Sequence, residues 1–200
     1  RLKQDKGSWY YGTNKLNIIA AMDFAYSTGK RSDYTSIVVV GMDAERRVYV
    51  LDVIRFQTKE IKEYYKQLLD VYRKWGFRKL IAETVAAQEA IVSELKSSYL
   101  RPNGIMLSVV EEKPNRHEGK KEERMKAVLD PIYMNNSVWH YRGGNCQILE
   151  DELIMEFPPH DDCKDALAHA VPHLSPPSRN ASYSVQENII YHPKFGGVVA

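Results

Sequence analysis

Cysteine is scarce: Cys146 and Cys163 are the only two in 200 residues, and they lie too far apart for a CxxC pair. No disulfide framework follows from them, and a reducing compartment is expected. No run of about 18 apolar residues occurs, so no membrane-spanning helix is expected. Neither sign of charge dominates. Lys and Arg number 28 against 26 Asp and Glu, a net charge of +2, so any basic face must be local. A phosphate-cradling Gly-x-x-x-x-Gly-Lys-Ser/Thr loop is missing, which excludes a P-loop ATPase within this chain. An initial Met is missing too. Residues 1–16 resemble neither a signal peptide nor a folded element, and read as an interdomain linker in a longer protein.

What is present suits one globular domain, with 44% apolar and 27% charged residues. The apolar run "NIIAAMD" (17–23) reads as a buried strand ending in an acid. "YTSIVVVGM" and "RVYVLDVIRF" read as two further strands. Short connections between the three predict an antiparallel meander. Thr58 reads as an N-cap, followed by apolar residues at helical spacing from Ile61 to Trp75 and a stop at Gly76. The tyrosines of that helix and Trp75 read as core residues. "FRKLIAE" (77–83) is a fourth strand ending in an acid, followed by a helix that stops near Pro102. "IMLSVVE" is a fifth strand. A charged loop then enters a helix expected to end at Pro131. "SVWHY" is strand-like, and two helices follow, the second within "FPPHDDCKDALAHAV" (157–171). The expected fold class is α/β: a mixed sheet of antiparallel meander plus parallel strands, flanked by helices. The domain spans 17–174, and 175–200 reads as a loosely ordered tail.

The last helix opens on His160, Asp161, Asp162 and Asp165. One N-cap needs one aspartate. Asp162 and Asp165, three apart, can look out of one side of the helix, whereas Asp161 points about 100° away. Like charges there repel unless a cation lies between them. Asp23 and Glu83 each close a short strand, and neighbouring strands would bring both carboxylates to one edge. Taken singly, such acids are common turn residues. Together with the helix aspartates they form a hard, all-oxygen set suited to Mg²⁺ or Mn²⁺ rather than zinc. Sites of this kind hold two metals about 3.5–4 Å apart and hydrolyse phosphodiesters.

"MDFAYSTGKRSDYTSIVVVG", "LIAETVAAQ", "KKEERMKAVLDPIYMNNSVWH" and "HDDCKDALAHA" resemble the C-terminal nuclease domain of the large terminase subunit of tailed bacteriophages, within the RNase H-like nuclease and integrase fold. The resemblance spans about 17–173. Its specific part is HDDxxDA together with DxxxSxxxxSDYT. It implies an RNase H-like mixed sheet and a metal-dependent endonuclease that cuts double-stranded concatemeric DNA with little sequence preference. On it Asp23 is the first metal ligand and Glu83 the second. HDDxxDA supplies the third, Asp162 foremost, with Asp165 and Asp161 beside it. Asp33 ligates a second metal or only caps the turn into the second strand. Read from its position alone, His160 either donates to a ligating carboxylate or a phosphate or is merely a half-buried residue ahead of the helix. The resemblance also implies an N-terminal ATPase domain in the same polypeptide, a portal protein and small terminase subunit as partners, and the host cytoplasm as location. The alternatives are an RNase H or Holliday-junction resolvase of the same fold, or a non-catalytic DNA-docking module whose acids merely cap.

DNA would need local cations. Residues 113–126, "KPNRHEGKKEERMK", carry six Lys/Arg against three Glu. Lys113, Arg116, Lys120, Lys121 and Arg124 are the candidate phosphate contacts there, with Lys30 and Arg31 as a second group near Asp23. A mixed-charge run of this kind is also what a solvated helix face looks like. His169 and His173 read as packing or surface residues, and Cys163 as an inert neighbour.

Overall fold

The computed structural model describes residues 1–25, 34–113, 121–156, 158–178, 190–191 and 198–199. Residues 1–16, expected to carry no folded element, form a small antiparallel sheet of β1 (Leu2–Asp5), β2 (Ser8–Tyr11) and β3 (Asn14–Lys15). Lys6 and Gly7 both adopt positive φ (46° and 76°), the geometry of the tight two-residue hairpin turn. The sheet is mostly polar. It holds on through Leu2 and Trp9, which pack against the main core, the Trp9 ring tilted by 44° against Trp75 with centroids 4.7 Å apart.

The expected meander is present as β4 (Asn17–Asp23), β5 (Thr35–Met42) and β6 (Val48–Phe56), antiparallel throughout. Next comes α1 (Ile61–Trp75), burying Tyr64, Leu68, Val71 and Trp75 along one stripe. It begins after Glu60 rather than at Thr58. Thr58 Oγ1 instead accepts from the Glu60 N–H at 3.0 Å, one turn before the helix. β7 (Lys79–Glu83), α2 (Ala86–Glu94) with a π-helical extension over 95–100, and β8 (Ser108–Glu112) complete the central run. The helix α3 (Lys121–Met134) passes through Pro131 instead of ending there. Proline removes one N–H and leaves the following turn free to continue. Asn136, in left-handed conformation, ends that turn, with the Ser137 N–H bonded back to the Ile132 carbonyl. β9 (Val138–His140), α4 (Gln147–Ile154) and α5 (Asp162–Ala170) follow, α5 running into a 3₁₀ turn, Val171–His173.

The main sheet has the order β8-β7-β4-β5-β6-β9. β7 is parallel to β4 and to β8, and β9 is parallel to β6. Both faces are covered, which is why β4 and β5 read as nearly unbroken apolar runs. Ala20, Met22, Ile37 and Val39 face α1, while Ile19, Ala21, Val38 and Val40 face α3, α4 and α5. Cys146 and Cys163 are free and buried on that second face. Burial pushes the Cys146 thiol up to about 11 and raises that of Cys163 as well, so both stay protonated and unreactive. The expected tail falls almost wholly outside the described residues. Within them, β10 (Ile190–Tyr191) pairs antiparallel with β11 (Val198–Val199), and Asn17 Nδ2 donates to the Ser175 carbonyl at 3.0 Å. No described helix is long and apolar enough to cross a membrane.

β6 carries one unpaired residue, Leu51, where its register against β5 shifts between Val39 and Val40. The Leu51 carbonyl lies against Gly144, whose own carbonyl accepts from the Val53 N–H at 2.8 Å. A Cβ at 144 would overlap the Leu51 oxygen. Gly144→Ala is therefore expected to cost about 1–3 kcal/mol, read in urea unfolding as a lower midpoint at unchanged slope.

Candidate functional site

Three parallel strands end in acids at one edge of the sheet. Met22 pairs with Ala82, which sets Asp23 beside Glu83, and Glu83 pairs with Glu112. Adjacent strands are about 4.8 Å apart, so the row Asp23, Glu83, Glu112 is spaced by the ladder itself. Across the sheet beside this row lies α5, seated on β4 and β5. Buried Ala166, Leu167 and Ala170 form its inner face. Asp165, His169 and His173 recur every four residues and so share a face.

That face interdigitates with the acidic row. His169 Nε2 lies 3.0 Å from Glu83 Oε2 and 3.5 Å from Asp165 Oδ1. His169 Nδ1 lies 3.5 Å from Glu112 Oε2, and His173 Nε2 is 2.5 Å from Glu112 Oε1. Lys121, at the start of α3, sets its Nζ 2.9 Å from Asp165 Oδ2 and 3.1 Å from Asp161 Oδ1. Ligand atoms of Glu83, Asp165 and His169 all fall within 4.8 Å of one another.

The three helix aspartates thus have separate surroundings. Asp161 occupies the N-cap position but makes no side-chain cap bond, and its carboxylate meets Lys121 instead. Asp162 is buried. Its Oδ2 accepts from the Tyr34 N–H at 3.1 Å, and its carbonyl accepts from Ser36 Oγ at 2.8 Å, which ties α5 to the start of β5. Asp165 faces Glu83 and His169. His160 stands 4.0 Å from Asp162 Oδ2 and meets the Tyr34 ring edge-on at 4.8 Å.

Electrostatics reflect the crowding. Burial, with Asp165, Glu83 and Asp162 nearby, pushes the Asp23 carboxyl up to about 8, against the opposing pull of Lys121. Burial raises Asp165 as well, again opposed by Lys121. Glu83 goes the other way. Although burial opposes it, the His169 bond and charge, with Arg124 and Lys121, hold Glu83 below the usual carboxylate range. Burial works against charge on His169, yet Glu83, Asp165 and Asp23 lift it to about 9. Two cations, the Lys121 ammonium and the His169 imidazolium, therefore sit among at least four carboxylates. A divalent cation suits the same surroundings, and Asp23, Glu83, Asp165 and His169 form a donor set that fits one. Beside the oxygens expected from the sequence, the cluster offers one imidazole nitrogen, that of His169.

Two site residues escape the sequence reading. His169, which reads from the sequence as a packing or surface residue, lies inside the cluster, and Glu112 extends the acidic row by one strand. Both carried a signal: His169 is four residues after Asp165, and Glu112 closes an apolar strand just as Asp23 and Glu83 do. Among the candidate phosphate contacts, Lys121 turns into the acids rather than outward. Arg124 is half-buried, with its charge felt at Glu83. Lys113 is exposed and paired with Glu89 at 2.9 Å. Lys30, Arg31, Asp33, Arg116 and Lys120 lie outside the described residues.

No family model and no curated protein sequence matches the chain. Solved structures do resemble it. The large terminase nuclease from thermophilic phage G20c is similar at 16% identity, with 87% of this chain and 92% of that one covered and a TM-score of 0.54. The nuclease domain of the large terminase subunit gp2 of bacterial virus Sf6 matches at 11% identity, covering 76% and 86%, with a TM-score of 0.54. The yeast mitochondrial Holliday junction resolvase Ydc2 matches at 11% identity, covering 76% and 75%, with a TM-score of 0.51. What the chain shares with them is the RNase H-like α/β fold, as the sequence resemblance implied.

The raised Asp23 pKa has a measurable sign. A carboxyl whose folded pKa lies above its unfolded value contributes most below the ordinary pKa of about 4, and that contribution is lost as pH rises through about 8. Asn cannot ionise. In EDTA, Asp23→Asn is expected to leave Tm near wild type at pH 5 and to raise it by several degrees at pH 8.5, at about 2–4 °C per kcal/mol.

Proposed function

We propose that this chain is the nuclease domain of a phage large terminase, an endonuclease that cuts double-stranded concatemeric DNA with little sequence preference. The observation that carries the reading is the convergence of Asp23, Glu83 and Asp165 at one sheet edge, each delivered by a different element. Likeness in fold to the terminase nucleases of G20c and Sf6 supports it. So does the sequence resemblance through HDDxxDA.

In this reading Asp23, Glu83 and Asp165 hold Mg²⁺ or Mn²⁺, with Asp162 and Asp161 next to them on α5. A bound pair of such ions supplies Lewis acidity and a water acidified to near neutral pH. The protein's own residues do the rest. Asp23, at the β4 end of the row with Asp165, Glu83 and Asp162 nearby, would serve as the ligand common to two ions. Lys121 and His169 keep the carboxylates together when no ion is bound, and Arg124 and Lys113 would neutralise phosphates. The His160 ring, edge-on to Tyr34 and 4.0 Å from Asp162, would donate to Asp162 or to a phosphate. The domain would work beside an ATPase domain of the same polypeptide in the host cytoplasm, with a portal protein and small terminase subunit as partners.

The similarity to Ydc2 favours a second reading, a resolvase of the same fold, and the choice between them is one of substrate. Supercoiled and linear duplex are incubated with Mn²⁺ or Mg²⁺ beside a four-way junction, using wild type and Asp23→Asn. Duplex cutting that needs metal and falls at least about 100-fold in the variant is expected, a larger loss than a supporting contact would cause. Cutting confined to the junction would transfer the reading to the resolvases. An absence of both cutting and metal binding would leave a DNA-docking module.

Lys113 and Arg124 give a separate check. If both contact phosphates, replacing either by Ala lowers duplex affinity regardless of sequence. Each replacement also reduces the slope of log affinity against log salt by about 0.9.

A further inference from the structure

Glu112 and His173 have no place in the ligand set above, yet both are built into it. The Glu112 main chain is fixed, its carbonyl accepting from the Thr84 N–H at 2.7 Å. Its carboxylate lies between two imidazoles, with Oε1 at 2.5 Å from His173 Nε2 and Oε2 at 3.5 Å from His169 Nδ1. His169 turns its other nitrogen to Glu83 and Asp165, at 3.0 and 3.5 Å. The nitrogens of a neutral imidazole are unlike: one donates and the other has a free lone pair. Both His169 nitrogens carry protons in the ion-free cluster; a cation bound at Nε2 would replace the proton shared there with Glu83, leaving the single N–H on Nδ1, on the Glu112 side of the ring. His173, one helical turn further on, holds Oε1 of Glu112.

The geometry points to Glu112 and His173 as a positioning couple for His169, which makes His169 Nε2 a ligand to a divalent cation beside Glu83 and Asp165. This rests on the metal-site reading proposed above. Neither residue of the couple touches the ion or the DNA. Their effect runs through the tautomer and angle of one ring, the manner in which carboxylates support metal-bound histidines. The interdigitation also explains the sequence spacing. Asp165, His169 and His173 step along one helix face as Glu83 and Glu112 step across the strands, so each imidazole meets a carboxylate on the sheet.

Mn²⁺ is titrated by calorimetry into the 200-residue chain as wild type, Glu112→Ala, Glu112→Gln and His173→Ala, with Tm measured for each. The imidazole ¹⁵N shifts of His169 are recorded in the Mg²⁺-loaded protein. Mn²⁺ affinity is expected to fall 10–100-fold in Glu112→Ala and less in His173→Ala. The His169 shifts are expected to move from one Nδ1–H tautomer to a mixture, and a loss of packing alone would not produce that change. Should Glu112→Ala fail to fold, the near-isosteric Glu112→Gln is read in its place. Wild-type Mn²⁺ affinity and an unchanged tautomer in the Glu112 variants would overturn the couple and leave the metal site standing. No Mn²⁺ binding by wild type would overturn both.

Discussion

Repulsion among carboxylates is the constraint around which this fold is organised. The parallel register of β4, β7 and β8 brings Asp23, Glu83 and Glu112 to one edge, and α5 adds Asp161, Asp162 and Asp165 from above. Left alone, such a group would push strand ends and helix apart. Hydrogen-bonded strands resist that force because moving one acid means breaking a ladder. The rest is answered locally: Lys121 reaches across from α3, and His169 stands between Glu83 and Asp165. Burial first, and the neighbouring carboxylates after it, raise the Asp23 pKa, an electrostatic tension that a multivalent cation would relieve.

Packing supplies the rigidity on which that tension depends. On the α5 side, Ala166, Ala168 and Ala170 are small enough to bring the helix axis close to the sheet, and Val38, Val40 and Ala21 meet it there. On the other side, Trp75, Tyr64 and Phe77 fill a much larger volume between α1 and the same strands. The Trp75 indole N–H donates to Asp52 at 2.7 Å, so even this large side chain is fixed by a polar contact as well as by its neighbours. With small residues on the site side and bulky ones opposite, the acidic edge is set by backbone spacing, which varies little, rather than by long side chains, which vary more.

The central architecture was legible because its strands are short apolar runs closed by acids, and its long helix has a clear stripe. Asp23 and Glu83 follow from that pattern directly. The helix aspartates were recognisable as a group, but their division of labour was not. It depends on Tyr34 and Ser36 engaging Asp162 from β5, a contact across 126 to 128 positions that no local pattern encodes. His169 was missed because a histidine on a helix has no distinguishing periodicity until its neighbours on the sheet are known. Lys121 was read as a DNA contact because a charge run does not say which way each cation faces. The N-terminal sheet went unseen for a different reason. "LKQD" has almost no apolar alternation, and its strands are held by a type I′ turn and one tryptophan. The passage of α3 through Pro131 shows a breaker overruled by the hydrogen bonds on either side of it.

β4 leads straight from the N-terminal sheet to Asp23, a span of seven residues or about 23 Å. It is paired on both sides, antiparallel to β5 and parallel to β7. A pull on the chain ahead of Asn17 would therefore load this strand lengthwise, so that its ladder bonds share the force in shear instead of opening one at a time. Asp23 sits at the far end of that strand, where the displacement is smallest. In mechanical terms the most crowded carboxylate of the cluster is anchored at the protected end of a doubly clamped rod, and tension arriving from upstream would leave its alignment with Glu83 intact.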